Sequence, residues 1–258
     1  MTINFVKYQG TGNDFIMIDD REEKWDIENV TLNARLCDRR FGIGADGLIL
    51  LRSHPEYDFE MIYFNADGKV GSMCGNGGRC TVKFAHTLGA FQESTTFWAA
   101  DGLHHAHLDE EGKVHLKMNP PLDIEQGDDY FFMDTGSPHY VQFSEEVADL
   151  DVYELGKSIR YNDRFKKVGT NVNFVEKTDT NRLFVRTYER GVEDETFSCG
   201  TGVTASVISA ALQGMKSPVP VKVMGGELEV SFTEKEGAFE DLYLIGPAQE
   251  VFKGQVEI

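Results

Sequence analysis

The chain has 258 residues, 41% hydrophobic and 11% aromatic, enough for one large domain or two modest ones with proper cores. Asp and Glu number 43 against 25 Lys and Arg, and the resulting formal charge of −18 disfavours nucleic acid and anionic membranes as partners. No apolar run approaches the roughly eighteen residues that cross a bilayer, and "MTINFVKYQG" lacks the basic and apolar regions of a secretory signal, so a cytoplasmic protein is expected.

Short β-like runs dominate the first half: Asp14–Asp19, Gly47–Leu51, Asp58–Phe64, Thr95–Ala100 and Val114–Met118. Alternation in the third of these puts Phe59, Met61 and Tyr63 on one side. A lesser helix is predicted over Leu32–Arg39, with Cys37 joining Leu32 and Leu36 in the core, and a stronger one after "GSMCGNGGRC" (Gly71–Cys80). In the second half, strands are predicted at Tyr130–Asp134, His139–Phe143, Val172–Lys177 and Arg182–Glu189, with a lesser helix at Val152–Ile159. "FSCGTGVTAS" (Phe197–Ser206) then opens a helix carrying Val203, Val207, Ala210 and Ala211 at helical spacing, with Gly214 as its stop. Val221–Met224, Leu228–Phe232 and Asp241–Ile245 complete the strands.

The chain also repeats itself. Cys74-Gly75-Asn76-Gly77 recurs as Cys199-Gly200-Thr201-Gly202, 125 positions later, and Val82, Ala85 and Gly89 match Val207, Ala210 and Gly214 at the same offset. Arg40-Phe41 matches Arg164-Phe165, and Gly12 matches Gly136, 124 positions later. Two homologous halves are therefore expected, joined near the Pro120-Pro121 linker. Many strands around one central helix, twice over, is an α+β architecture.

Four cysteines (Cys37, Cys74, Cys80 and Cys199) with no C-x-x-C give no support to a zinc ribbon or a thioredoxin-type site. Cys80 reads as core. His104, His105 and His107 read as a solvated strand, so no metal site is predicted. Gly200-x-Gly202-x-x-Ala205 imitates a dinucleotide fingerprint, but the acidic "GVEDETFS" precedes it where an apolar strand is needed. A Walker A loop fails because no Lys-Ser or Lys-Thr follows the glycines.

What Cys-Gly-x-Gly before a helix can do is bind an anion and favour a thiolate, because the first helical amides are unpaired and the dipole adds positive potential. Two such motifs suggest helix ends sharing a carboxylate, with one sulfur on each side of its α-carbon. One thiolate would remove the α-proton while the opposite thiol protonates the other face, which is racemisation or epimerisation without pyridoxal. A thiol redox or metal-binding protein is the rival reading from another class.

The motifs "GTGNDF" (Gly10–Phe15), "RRFGIGADGLI" (Arg39–Ile49), "FNADG" (Phe64–Gly68), "MCGNGGRC" (Met73–Cys80), "GTNVNFV" (Gly169–Val175), "YERG" (Tyr188–Gly191) and "SCGTG" (Ser198–Gly202) resemble the diaminopimelate epimerase family nearly end to end. The resemblance implies two pseudo-symmetric lobes, each a strand-rich barrel wrapped around a central helix. Residues 1–118, with the final strand at about 248–258 returning to them, would form one lobe and 119–247 the other. It implies that Cys74 and Cys199 are the paired acid/base thiols and that His139 and Glu189 keep them in their working protonation states. Gly75, Asn76, Gly200 and Thr201 would bind the reacting carboxylate, and Asn13, Asn65, Asn171, Glu189 and Arg190 the substrate's other polar groups. No cofactor is implied, and the substrate would be the small molecule diaminopimelate, in lysine and cell-wall precursor supply. Family members often form homodimers, which leaves that assembly open here. A proline or hydroxyproline racemase is the alternative within the same chemistry, disfavoured by Arg190 and the asparagines. Ser137 departs from the family's usual Asn before Pro-His, and the acidic residues between Arg190 and Cys199 suggest a loop that modulates closure. Asp46 reads as a turn or cap residue.

Overall fold

The repeat in the sequence is a repeat in topology. The computed structural model describes residues 2–121 and 123–258, so Leu122 of the linker lies outside it. It divides into Met1–Leu116 with Gly246–Ile258, and Lys117–Ile245. In the first unit Thr2–Gly10 and Asn13–Asp19 form an antiparallel hairpin. Helix α1 (Val30–Cys37) leads to Gly47–Arg52, parallel to Asn13–Asp19 with Phe15 opposite Gly47. Phe59–Asn65 returns antiparallel to it. Helix α2 (Gly75–Thr87) leads to Ser94–Ala99, parallel to Phe59–Asn65, and Gly102–Leu108 and Val114–Lys117 follow antiparallel. The last strand, Gln249–Glu257, lies antiparallel to Thr2–Gly10.

The second unit runs the same course. The hairpin is Tyr130–Asp134 with Pro138–Phe143, and helix α3 (Val152–Arg160) leads to the parallel strand Asn171–Asp179, with His139 opposite Asn171. Arg182–Glu189 returns antiparallel, and helix α4 (Gly200–Ala211) leads to Val219–Val223, parallel to it. Gly226–Lys235 and Ala238–Gly246 complete the unit. The 124-residue offset holds in the strand register itself: Phe15 faces Gly47 in one unit and His139 faces Asn171 in the other.

Helices α1 and α3 are ordinary surface helices. Asn29 and Asp151 cap them by accepting from Leu32 N and Glu154 N, which starts α1 two residues earlier than the apolar spacing suggests. Helices α2 and α4 are different. Each begins after a cysteine in extended conformation whose side chain makes no capping bond, and each is buried on nearly every side. Thr204, Ser206 and Ser209 satisfy their hydroxyls within α4 by donating to the carbonyls of Gly200, Gly202 and Ala205 at 2.9, 2.7 and 2.8 Å. The glycines opening α2 and α4 cost helix propensity, and at Gly78 and Gly202 a larger residue would have to displace a neighbouring side chain. A Cβ on Gly78 would lie 2.6 Å from Met73 Cε, and one on Gly202 would lie 2.3 Å from Asn173 Oδ1.

Two readings change. His104 is not solvated: it is buried, stacked on Phe97 at 5.3 Å, with Nε2 2.8 Å from Asp101 Oδ1. Strand alternation turns His104 and Ala106 inward and leaves His105 outside. The acidic stretch after Arg190 is tied down, because Asp194–Thr196 pairs with Thr187–Glu189. Glu195 accepts a two-pronged bond from Arg186, at 2.7 Å on each prong, and Glu193 pairs with Arg160 at 3.2 Å.

Candidate active site

In the first unit, Cys74 stands at the N-terminus of α2, half-buried. Its Sγ–H donates to Asn13 Oδ1 at 3.6 Å, and Asn76 Nδ2 donates to the same oxygen at 3.4 Å. Asn13 begins the second strand, and its Nδ2 donates to Asp46 Oδ2 at 2.6 Å. Asp46 and Asp14 share Arg39, and Lys7 pairs with Asp14 at 2.8 Å. Although burial works the other way, Arg39 and Lys7 hold the Asp14 carboxyl well below the usual carboxylate range. Asp46 is therefore more than a turn residue, since its carboxylate sets which way the Asn13 amide points. Asn65 ends its strand and is exposed, with its amide beside Gly71.

Arg79 was not singled out by its motif, yet it heads the fully buried side chains by size among the described residues. Its Nη1 donates to Asn76 Oδ1 at 3.1 Å, Nη2 to Thr11 Oγ1 at 3.0 Å, and Nε lies 3.5 Å from the carbonyl oxygen of Pro247. All three acceptors are neutral. Burial lowers its pKa to about 10, so the guanidinium stays charged at neutral pH. No spacing rule could have marked it, because a charged residue on a helix usually faces water.

In the second unit, Cys199 opens α4 and is buried. Thr201 Oγ1 lies 3.5 Å from its sulfur and 2.9 Å from His139 Nε2, and the Thr201 carbonyl accepts from Thr135 at 2.9 Å. Asn171 Nδ2 donates to Ser137 Oγ at 2.9 Å and to the Pro138 carbonyl at 3.2 Å, while its Oδ1 accepts from Arg190 N at 2.8 Å. Ser137 thus orients Asn171. Arg190 Nη1 donates to the Val168 carbonyl at 3.1 Å, and Glu189 accepts from Thr196 Oγ1 at 3.0 Å. Gly75, Gly200 and their following amides form the first turns of the two helices. Each unit therefore gathers its own share of the singled-out residues: Asn13, Cys74 and Asn76 in one, His139, Asn171, Arg190, Cys199 and Thr201 in the other. The remaining cysteines, Cys37 and Cys80, are buried in the core, and burial pushes both thiols up to about 12. Among the described residues no group of three or more His, Cys, Asp or Glu could hold a metal ion.

His139 is fully buried, and that burial, together with the charge of Arg190, lowers its pKa to about 3. A histidine neutral in the fold but charged in the unfolded chain below about pH 6.5 makes stability fall as pH drops towards 3. The protein is expected to lose about 2 kcal/mol from this residue by pH 5. Urea unfolding at pH 7 and at pH 5 checks this, and His139→Gln should flatten the difference.

The model of the family described as Diaminopimelate epimerase matches residues 5–122 and 131–251, one Cys-Gly-x-Gly in each stretch. The diaminopimelate epimerase of Flavobacterium psychrophilum is 49% identical over 97% of this chain and 99% of its own length. That of Aquifex aeolicus is 40% identical over 98% of each. The chain belongs to the diaminopimelate epimerase family.

The fold extends beyond diaminopimelate epimerases. A Bacillus anthracis phenazine biosynthesis protein superposes with a TM-score of 0.78 over all of both chains at 16% identity. A probable proline racemase from Agrobacterium radiobacter gives 0.71 at 17% identity, covering 99% of this chain and 93% of its own. At such identities the likeness is one of fold: the two-lobe α+β architecture of diaminopimelate epimerases is shared, and the chemistry is a separate matter.

Proposed function

We propose that the protein interconverts LL- and meso-diaminopimelate without a cofactor, using Cys74 and Cys199 as paired bases. The observation that carries this reading is the pair of buried helices that each open on a cysteine, in a chain so similar to named diaminopimelate epimerases. In one direction a thiolate takes the α-proton and becomes a thiol. The other thiol gives its proton to the opposite face of the α-carbon and becomes a thiolate, so the enzyme ends with the proton exchanged between sulfurs. First-turn amides at Gly75, Asn76, Gly200 and Thr201 stabilise the carboxylate as negative charge builds on it. Asn13, Asn65, Asn171, Glu189 and Arg190 hold the rest of the substrate, with the Arg190 guanidinium suited to the distal carboxylate. His139 and Glu189 adjust the thiols.

The reaction supplies lysine and cell-wall precursor synthesis in the cytoplasm, with a homodimer as the assembly to test. The charge of −18 argues against nucleic acid as a partner, and no helix among the described residues is long and apolar enough to cross a membrane. Incubating the enzyme with LL-diaminopimelate in deuterium oxide, without added cofactor, should place deuterium at the α-carbon and yield meso product by mass and chiral analysis. Proline in the same assay should stay unlabelled. Unlabelled diaminopimelate beside labelled proline would reverse the substrate assignment.

A further inference from the structure

The loop that carries Arg190 is built around a second charged residue. Glu189 faces Asp194 at the end of the hairpin, which leaves Arg190, Gly191, Val192 and Glu193 as its connecting loop. The Glu193 amide closes that loop by donating to the Glu189 carbonyl at 2.8 Å. Two of the loop residues have left-handed backbone, Gly191 at φ 93° and Glu193 at φ 58°. Glycine adopts this conformation readily, but glutamate does so only where its surroundings hold it there. What holds Glu193 is its own carboxylate. Oε1 accepts from the Gly191 amide at 3.1 Å and from Arg160 Nη2 at 3.2 Å, and Oε2 accepts from the Tyr188 hydroxyl at 3.2 Å. Although burial works the other way, the Gly191 amide, the Arg160 charge and tyrosine hydroxyls hold this carboxyl below the usual carboxylate range.

Both anchors are rigid parts of the second unit. Tyr188 is buried in a core with Val152, Val172 and Phe174, so close to α3 that a Cβ on Gly156 would lie 2.3 Å from Tyr188 Cβ. Arg160 ends α3, where its guanidinium lies 4.7 Å from the centre of the Tyr161 ring and donates to the Phe165 carbonyl at 3.4 Å. Arg190 leans on the same framework. Gly169 packs against both arginines, since a Cβ there would lie 2.6 Å from Arg190 Cδ and 2.9 Å from Arg160 Cζ. From there Arg190 Nη1 reaches the Val168 carbonyl, while its backbone amide is fixed on Asn171. The strained residue thus ties the loop to a helix end and to a core tyrosine, three positions after the guanidinium.

We propose that Glu193 is a positioning residue for Arg190: with Arg160 and Tyr188 it clamps the loop to α3 and the core, so that Arg190 meets the substrate's distal carboxylate in a preset orientation. This rests on the role given to Arg190 above. A guanidinium held in advance binds a carboxylate without the ordering cost of a mobile loop. Glu193→Gly suits the left-handed backbone and removes the clamp. It should raise KM for LL-diaminopimelate about tenfold and leave kcat within about twofold of wild type, because it weakens binding rather than proton transfer. In an Arg190→Ala background the same substitution should change KM by less than about twofold, because it acts through Arg190. Arg160→Met removes the anchor from the other side and should reproduce both results, even if Glu193→Gly does not fold. The clamp is also read without substrate. By amide hydrogen exchange, the Arg190 and Gly191 amides should exchange at least about tenfold faster in either variant than in wild type. A wild-type protein that leaves diaminopimelate unchanged would end the substrate reading, and the exchange rates would still decide whether Glu193 fixes this loop. An unchanged KM in both variants, an effect equally large without Arg190, or equal exchange in variants and wild type refutes the proposal.

Discussion

Replacing either Cys74 or Cys199 by alanine is expected to lower epimerisation by at least about 10³-fold, the scale of a lost general acid or base. The effect should be as large for one as for the other, because inversion needs a proton removed on one face and delivered on the other. A single remaining thiol can at most exchange the α-proton of one stereoisomer with solvent and return it to the same face. Deuterium incorporation and chiral analysis, run in parallel on LL- and meso-diaminopimelate, would separate exchange from inversion. Full epimerisation by either variant would end the two-base reading. Fold damage is not expected to obscure the result, because neither cysteine side chain caps its helix.

Arg79→Met is expected to raise KM for diaminopimelate about tenfold or more. A guanidinium fully removed from water, whose partners among the described residues are the neutral oxygens of Asn76, Thr11 and Pro247, has no carboxylate paired with it there. It sits in the helix whose first turn is proposed to bind a carboxylate, and its Nη1 fixes the Asn76 side chain there. Anion binding is the event that would compensate it. Methionine keeps most of the volume and removes the charge. It leaves Asn76 Oδ1 and Thr11 Oγ1 each short of a donor, a cost of about 1–3 kcal/mol apiece that is offset by no longer burying a cation. Thermal unfolding should therefore shift modestly while KM shifts strongly, and Arg79→Lys should rescue KM only in part because an ammonium lacks the fork. An unchanged KM in the methionine variant would show that the charge serves only packing.

Much of this fold is legible in local sequence. Strand Arg182–Glu189 is read to its ends because it is a short run rich in β-branched and aromatic residues, and α2 and α4 begin where glycine clusters give way to apolar spacing. Thr2–Gly10 is not legible: it buries Lys7 against Asp14 and Gly44, so its inward face carries a charge. His104 misleads for the same reason, its partner Asp101 being visible only once the hairpin is formed. Within the candidate site, the cysteines, Asn13, Asn76 and His139 lie in recognisable motifs. Asp46, Arg79 and Asn173 do not declare themselves, because what each one does depends on which atom of a distant strand or loop lies within 3.5 Å.

The sequence by itself determined the duplication, the α+β class and the two cysteine-led helices, since these follow from periodicity and from residue types that act on their own neighbours. Only the tertiary structure decided how the two copies differ. Parallel pairing sets His139 against Asn171 and brings Asn173 onto its ring, where the first copy pairs Phe15 with Gly47 and packs Ile49. Which polar atoms come within bonding distance depends on strand register, which no local run of sequence encodes.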